Sequence, residues 1–552
     1  MLYLCDKIIT KKQAVTRVAS FHVALFACLL VYLSARIIMT KELILWADDE
    51  IDLLKPHILF LKNKGYEVET VTNGRDALDA IASQNYNLII LDENMPGISG
   101  LEALQQIKIS QPNVPVIMIT KSEEENIMNQ AIGSQIADYL IKPVNPMQIL
   151  LSIKKNLHSD ALVAQKATSD YQQEFMKISQ MIAQAHSIED WYELYSTLVR
   201  WELTLTTADT GMGEMLKMQK TEANGMFAKF VKRNYEDWFA NDNHPLRSNE
   251  IFKSRIFPLL DKGEKVYFIV IDNFRLDQWK TISPLLSDYF NIDDDGLYTA
   301  ILPTATQYAR NAIFSGLLPV DIEKMFPDLW VDEDEEEGKN VNEEPLVRTI
   351  LERYRKPYKF SYNKLNDSTA GERVLQNFAT LDKNDLNVIV FNFVDMMSHQ
   401  RTESKMIREL ANTDEAYRSL TVSWFKNSYA FEIFKQIAHR GAKVVITTDH
   451  GTIKVDNAVK VIGDRNTNTN LRYKVSKNLS YNPKQVYEIK SPKKVGLPSP
   501  NVASTYIFAT NRDFFAYPNN YNYYVQYFRD TFQHGGISME EMLIPIVTLS
   551  SK

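Results

Sequence analysis

From residue 43 onward, short apolar runs alternate with longer amphipathic stretches. LILWA, YEVETV, YNLIILD, VPVIMIT and ADYLIKP have strand length, and helix-length segments separate them. That rhythm predicts a parallel sheet with helices on both faces, of flavodoxin-like type. The pattern then changes. No proline occurs between Pro146 and Pro245, and YQQEFMKISQMIAQ and WYELYSTLVRWEL carry apolar residues at helical spacing. Ser187 followed by Asp190 predicts a helix start, whereas DTGMGEM and EANGM predict breaks. His186, Trp191 and Trp201 read as packing residues. Past Pro245 the alternation returns, with the apolar runs KVYFIVID, NVIVFNFVD and KVVITTDH. The expected architecture is multidomain α/β: one domain over 39–160, a helical bundle joining segment over 161–245, and a second α/β domain over 246–552.

Residues 1–38 stand apart. Lys7, Lys11, Lys12 and Arg17 precede VALFACLLVYL, a basic-then-apolar order like that of a signal peptide or short anchor. The apolar core is shorter than the roughly 20 residues that span a bilayer comfortably. The expectation is an over-extended start with Met39 opening a cytoplasmic protein, and a short membrane anchor is the alternative. Composition adds exclusions. A formal charge of −7 argues against non-specific binding to DNA or RNA. The two cysteines are Cys5 and Cys28, so no disulfide framework or cysteine-based zinc site is available beyond them.

The strand ends of the first α/β segment carry chemistry. Asp48 and Asp49 close the first run, Asp92 the third, Thr120 the fourth and Lys142 the fifth. Three clustered carboxylates suit Mg²⁺, which prefers oxygen ligands. Lys142 can pair with an added phosphoryl group and Thr120 can hydrogen-bond it. This constellation resembles the receiver domain of bacterial response regulators. The resemblance implies that Asp92 accepts a phosphoryl group from a sensor histidine kinase, with Mg²⁺ held by Asp48, Asp49 and Asp92. Tyr139 would be the aromatic switch that follows Thr120. Phosphorylation is expected to promote a homodimer.

Three apolar runs of the last segment deliver acids: Asp272, Asp395 and Asp449, the last followed by His450. Asp395 and His399 are four apart, so one helical turn would place them on one side. FQHGG adds His534 before glycines. Three aspartates and three histidines suffice for two zinc-type sites. LPTATQYARNAIFSGLLP supplies hydroxyls at Thr304 and Thr306 ahead of a predicted helix, whose N-terminus is a favourable place for phosphate. Arg310 and Asn273 are candidate phosphate-oxygen contacts.

The set resembles the alkaline phosphatase superfamily, and its PglZ branch in particular. The resemblance implies Thr306 as nucleophile, one metal held by Asp272, Thr306, Asp449 and His450, and another held by Asp395, His399 and His534. Sulfatases of the superfamily use Cys or Ser at the nucleophile position and phosphoglycerate mutases use Ser, so a phosphodiesterase or phosphomonoesterase fits better; of the two, the resemblance favours phosphodiesters, nucleotide-type ones included. Receiver, helical segment and PglZ-type domain together resemble PorX-type response regulators, associated with type IX secretion. The expected function is a response regulator whose output is a dinuclear zinc phosphodiesterase. The competing expectation is a phosphorylation-controlled scaffold that docks a sigma factor or secretion-motor component around a structural metal centre. Direct DNA binding is not expected.

DEDEEEGKNVNEE, 332–344, reads as a solvated insertion. In DRNTNTNLRYK, Arg465, Arg472 and Lys474 read equally as substrate contacts or exposed loop charge. His57, His158, His244 and His439 are expected to be structural.

Overall fold

A computed structural model describes residues 41–121, 125–208, 211–331, 341–403, 405–464, 467–499, 501 and 503–552. The N-terminal leader, residues 332–340 of the acidic stretch and Arg465 lie outside the described residues. Among the described residues, no helix is long and apolar enough to cross a membrane. The chain divides into two compact units, the first ending at Val163 and the second running over Ala164–Lys552.

In the first unit, strands β1 (Leu43–Ala47), β2 (Glu67–Val71), β3 (Leu88–Asp92), β4 (Val116–Thr120) and β5 (Asp138–Ile141) form one sheet in the order β2-β1-β3-β4-β5. All four pairings are parallel. The central strands β3 and β4 are buried at every position. Uninterrupted apolar runs are what a sheet covered on both faces requires. Apolar clusters accordingly lie on both faces of the sheet, one around Leu45, Leu91 and Leu104, the other around Trp46, Ile90 and Ile153.

The second unit is built on a six-stranded sheet. Strands β6 (Val266–Ile271), β7 (Phe290–Thr299), β8 (Phe360–Leu365), β9 (Leu386–Phe391), β10 (Lys443–Thr447) and the C-terminal strand Leu543–Ser551 run in the order β7-(C-terminal strand)-β10-β6-β9-β8. The β10-β6-β9-β8 block is parallel, and the C-terminal strand is antiparallel to both β10 and β7. Every residue of β6 and β9 is buried.

The helical segment shares its core with the second unit. Helix Pro146–Gln184 begins in the first unit and ends in the second, where Ile188–Ala208 and Gly213–Asn234 follow it. Tyr171, Trp191, Leu198 and Phe227 belong to the same apolar core as β6 and β9. Polar ties reinforce that union. Asn224 donates to Glu540 at 2.9 Å, and the backbone amide of Leu302 donates to Tyr235 Oη at 2.7 Å. Arg418 bridges Glu202 and Asp277, at 2.6 and 3.1 Å. The break expected at EANGM is absent: Gly225 lies inside Gly213–Asn234. Glycine costs a helix about 1 kcal/mol relative to alanine, less than the burial of Ala223, Phe227 and Val231 along the same face returns. Trp191 and Trp201 pack as expected, but His186 is exposed at the start of the Ser187–Asp190 cap.

Candidate phosphoacceptor and metal-binding sites

In the first unit, parallel strands bring their carboxyl ends to one edge, where such sheets build their sites. Asp48, Asp49 and Asp92 offer oxygens within 4.8 Å of one another. Lys142 Nζ lies 2.8 Å from Asp48 Oδ2 and 3.0 Å from Asp92 Oδ2. The second oxygen of Asp92, Oδ1, is buried without a hydrogen-bond partner. Burial pushes the Asp92 carboxyl above its usual range, Asp48 and Asp49 add repulsion, and Lys142 only partly opposes them. Burial would lower Lys142, yet its bonds to Asp48 and Asp92 outweigh that and hold it protonated. A crowded, under-compensated acid trio with one unpaired oxygen fits a hard cation. Thr120 is fully buried at the end of β4, and Tyr139 is half-buried on β5.

In the second unit, β6 and β10 are neighbours in parallel register, Val270 opposite Thr447, so Asp272 and the Asp449–His450 pair emerge side by side. Asp272, Asp449 and His450 are all buried, with ligand atoms within 4.8 Å of one another. Thr306 is the first residue of helix Thr306–Ser315, and its Oγ1 lies 3.1 Å from His450 Nε2. His450 Nδ1 faces the Gly451 carbonyl at 3.1 Å. A carbonyl only accepts, so Nδ1 carries a proton in this bond, which fixes the orientation of the ring. His534 is held likewise, Nδ1 on the Thr304 carbonyl at 3.0 Å, and its ring stacks on His450 with centroids 4.2 Å apart. Both rings are thus oriented through Nδ1, and His450 Nε2 sits beside Thr306 Oγ1 among the buried aspartates. Asp272 Oδ1 is buried with no hydrogen-bond partner.

Burial and the repulsion of Asp449 and Asp395 push Asp272 well above the usual carboxylate range, against the pull of Arg310. Burial acts on Asp449 too, but Arg310 and His450 overcome it and hold Asp449 low. The aspartates thus share one guanidinium where two positive charges would balance them. An orphaned carboxylate oxygen, a second buried carboxylate, an imidazole and a hydroxyl together fit a zinc-type ligand set.

Asp395 departs from the strand-end expectation. Strand β9 stops at Phe391, and Asp395 lies in the first turn of helix Phe393–Glu403. His399 is four residues on in that helix, and its side chain lies outside the described residues. Asn273 and Arg310, expected to reach phosphate, are engaged elsewhere. Asn273 is fully buried and donates from Nδ2 to Asp395 at 3.2 Å, linking the acids of β6 and the β9 helix. Its φ of 60° is left-handed, a conformation asparagine tolerates better than most residues. Arg310 is 0% exposed and spends its guanidinium on Asp272, Asp449 and Glu343. Buried acids demand a buried cation, and Arg310, one helical turn after Thr306, answers it.

Two further expectations are corrected, and Thr304 gains a role. Glu343 is no solvated acid: it is 1% exposed and pairs with Arg310 at 3.1 Å and Lys364 at 3.0 Å. Arg472 and Lys474 are neither substrate contacts nor loop charge. Arg472 is fully buried on Glu541, and Lys474 bonds the Asn468 carbonyl at 2.6 Å. The Thr304 hydroxyl is fully buried, donating to Gly536 O and accepting from Gly535 N, so it anchors the glycine loop after His534. Sequence reasoning also missed a charged cavity of about 580 Å³, lined by Lys220, Arg275, Asp414 and Glu540 and separate from the Asp272 cluster.

Family models match three stretches of the chain: a response regulator receiver domain over 44–154, a PorX response regulator linker domain over 161–239, and a BREX system PglZ alkaline phosphatase-like domain over 251–549. Curated relatives include the transcriptional regulatory protein ResD of Bacillus subtilis, 33% identical over 111 residues, covering 20% of this chain and 46% of ResD. A CpxR homologue of Haemophilus influenzae is 36% identical over 121 residues, covering 21% and 51%. The chain thus spans about half the length of these relatives. A solved CheY-like receiver from Methanospirillum hungatei aligns at 28% identity with a TM-score of 0.21, covering 22% of this chain and 96% of that one.

Proposed function

The chain belongs to the PglZ alkaline phosphatase-like family and carries a response regulator receiver domain, and from that premise we propose a phosphorylation-controlled zinc phosphodiesterase acting on nucleotide-type phosphodiesters. One observation carries the reading. The Thr306 hydroxyl, at a helix N-terminus, sits 3.1 Å from His450 Nε2 beside buried aspartates, one of which has an unpaired oxygen.

Asp272, Asp449, His450 and Thr306 would hold one zinc ion, and Asp395, His399 and His534 the other. Bound there, the ions would supply Lewis acidity, easing ionisation of the hydroxyl and neutralising phosphoryl charge. The Thr306 oxygen forms a bond to phosphorus as the bond to the leaving alcohol breaks, and that alcohol departs with a proton from solvent. Water then cleaves the threonine–phosphate ester and restores the hydroxyl. The N-terminus of helix Thr306–Ser315 would favour the phosphoryl charge. Imidazoles fixed through Nδ1 keep the geometry unchanged through both displacements.

In the receiver, a sensor histidine kinase supplies the phosphoryl group to Asp92, with Mg²⁺ held by Asp48, Asp49 and Asp92. Lys142, Thr120 and Tyr139 read the new charge and favour a homodimer, and the likeness to PorX-type regulators supports proposing a role in type IX secretion. Metal analysis of the purified protein with turnover of bis(p-nitrophenyl) phosphate tests the enzymatic reading. Zinc uptake with hydrolysis lost in Thr306→Val supports it. Absence of zinc, or turnover indifferent to Thr306, refutes it.

A further inference from the structure

Arg310 is a buried cation placed where a metal centre would least tolerate one. Its Nε contacts Asp449 Oδ2 at 3.0 Å, and Nη2 pairs with Asp272 Oδ2. Both contacts fall on the Oδ2 atoms. Asp272 Oδ1 is left without a partner, and Asp449 Oδ1 has only long contacts, 3.4 Å from the Asn273 amide and 3.3 Å from Thr448 Oγ1. The guanidinium therefore fixes Oδ2 of each aspartate, and in Asp449 that same oxygen lies 3.7 Å from His450 Nε2. Left uncompensated, its charge would repel any divalent cation bound there, and a buried site screens that repulsion poorly.

Glu343 removes the conflict. It opens helix Glu343–Arg353, is 1% exposed, and accepts from Arg310 Nη1 at 3.1 Å. Its other oxygen is held by the Tyr362 hydroxyl and by Lys364 at 3.0 Å. Asp272, Asp449 and Glu343 face Arg310, and Lys364 also pairs with Glu343, so three carboxylates against two cations leave one negative charge. Without Glu343 the two aspartates would be matched by the two cations, leaving no net negative charge to attract a divalent ion.

We infer that Arg310 and Glu343 are a positioning pair for the metal centre: Arg310 orients Asp272 and Asp449, and Glu343 cancels its charge so that both aspartates serve the cation. The inference rests on the zinc reading above. It assigns Glu343, thirty-three positions from Arg310, a task no strand-end acid can perform.

The test is zinc affinity of the full chain, measured by competition with a chromophoric chelator, with thermal unfolding in excess chelator to report folding. Glu343→Gln should weaken zinc binding by about tenfold or more, as loss of an outer partner of a ligand commonly does. The double variant Glu343→Gln with Arg310→Met, which removes both charges, should bind more tightly than Glu343→Gln alone. Glu344→Gln, next in sequence but paired with Arg348 at the surface, should bind as wild type does. Wild-type protein that takes up no zinc would overturn the metal reading and this inference with it. Zinc uptake unchanged in Glu343→Gln, or a double variant no better than the single, would overturn the pair alone. If Glu343→Gln fails to fold, the double variant must still fold and bind zinc, and its failure also overturns the pair.

Discussion

Replacing Thr306 by valine separates chemistry from architecture. Valine keeps the branched shape and deletes one oxygen, whose single hydrogen bond runs 3.1 Å to His450 Nε2. His450 is 0% exposed, so leaving that nitrogen unpaired costs about 1–3 kcal/mol of stability. The second unit has a core extending from Ala167 to Leu549 and survives such a loss. Deleting a nucleophile has a larger effect, and turnover should fall about 10³-fold or more, a barrier increase of at least about 4 kcal/mol. Release of p-nitrophenol from bis(p-nitrophenyl) phosphate, beside chemical denaturation of the same samples, measures both numbers. Zinc content should drop only in part, because Asp272, Asp449 and His450 remain. Thr306→Ser should retain measurable turnover, since the hydroxyl stays on the same backbone position. Turnover of Thr306→Val within about threefold of wild type would refute the reasoning, because water or another residue would then be attacking phosphorus.

Asp92→Ala should abolish acetyl-phosphate labelling, and beryllofluoride should shift the wild-type protein to a dimer on sizing. Gly451→Ala should destabilise the fold and release zinc, because a Cβ there would overlap the Glu540 carbonyl oxygen beside His450, which thermal unfolding with metal analysis reads out. Arg472→Met strands a buried Glu541 and should cost about 3–5 kcal/mol in urea unfolding. Asp277 and Asp414 predict acid sensitivity. Burial raises both, but Arg275 outweighs it, joined by Arg418 on Asp277 and by Lys220 on Asp414, so both lie below the ordinary 3.8. Their contribution is fully present above the unfolded value and is lost as pH falls through the depressed folded values, which unfolding titrations below pH 4 should show.

The strand-end residues were legible because each tells its own story. An apolar run buried along its length and closed by an acid, as in KVYFIVID or YNLIILD, gives both the strand and the carboxylate at its mouth. Asp395 was misplaced by one element as a strand end, because the apolar run NVIVFNFVD continues past the end of β9 into a helix; its four-residue spacing to His399 already pointed to that helix, which carries both. Glu343 was illegible for a different reason. It is the last residue but one of an acidic stretch whose local pattern says solvent, and its burial depends on a guanidinium contributed by a distant helix. Arg472 and Glu541 are the same case at greater range, sixty-nine positions apart. Spacing reports what a residue can do within its own element; it does not report a partner chosen by tertiary packing. The break expected at Gly225 failed because packing outweighed propensity.

Tyr235, in the helical segment, accepts a hydrogen bond from the Leu302 amide, four positions before Thr306. Tyr192 lies 2.8 Å from the Thr299 hydroxyl just upstream. The loop that delivers the attacking hydroxyl is thus braced by helices outside the phosphatase-like stretch. Exchange of parts among proteins of this build should then respect a seam near Ala164 rather than near Pro245. A phosphatase-like half grafted onto foreign helices would keep every ligand and still hold Thr306 out of true.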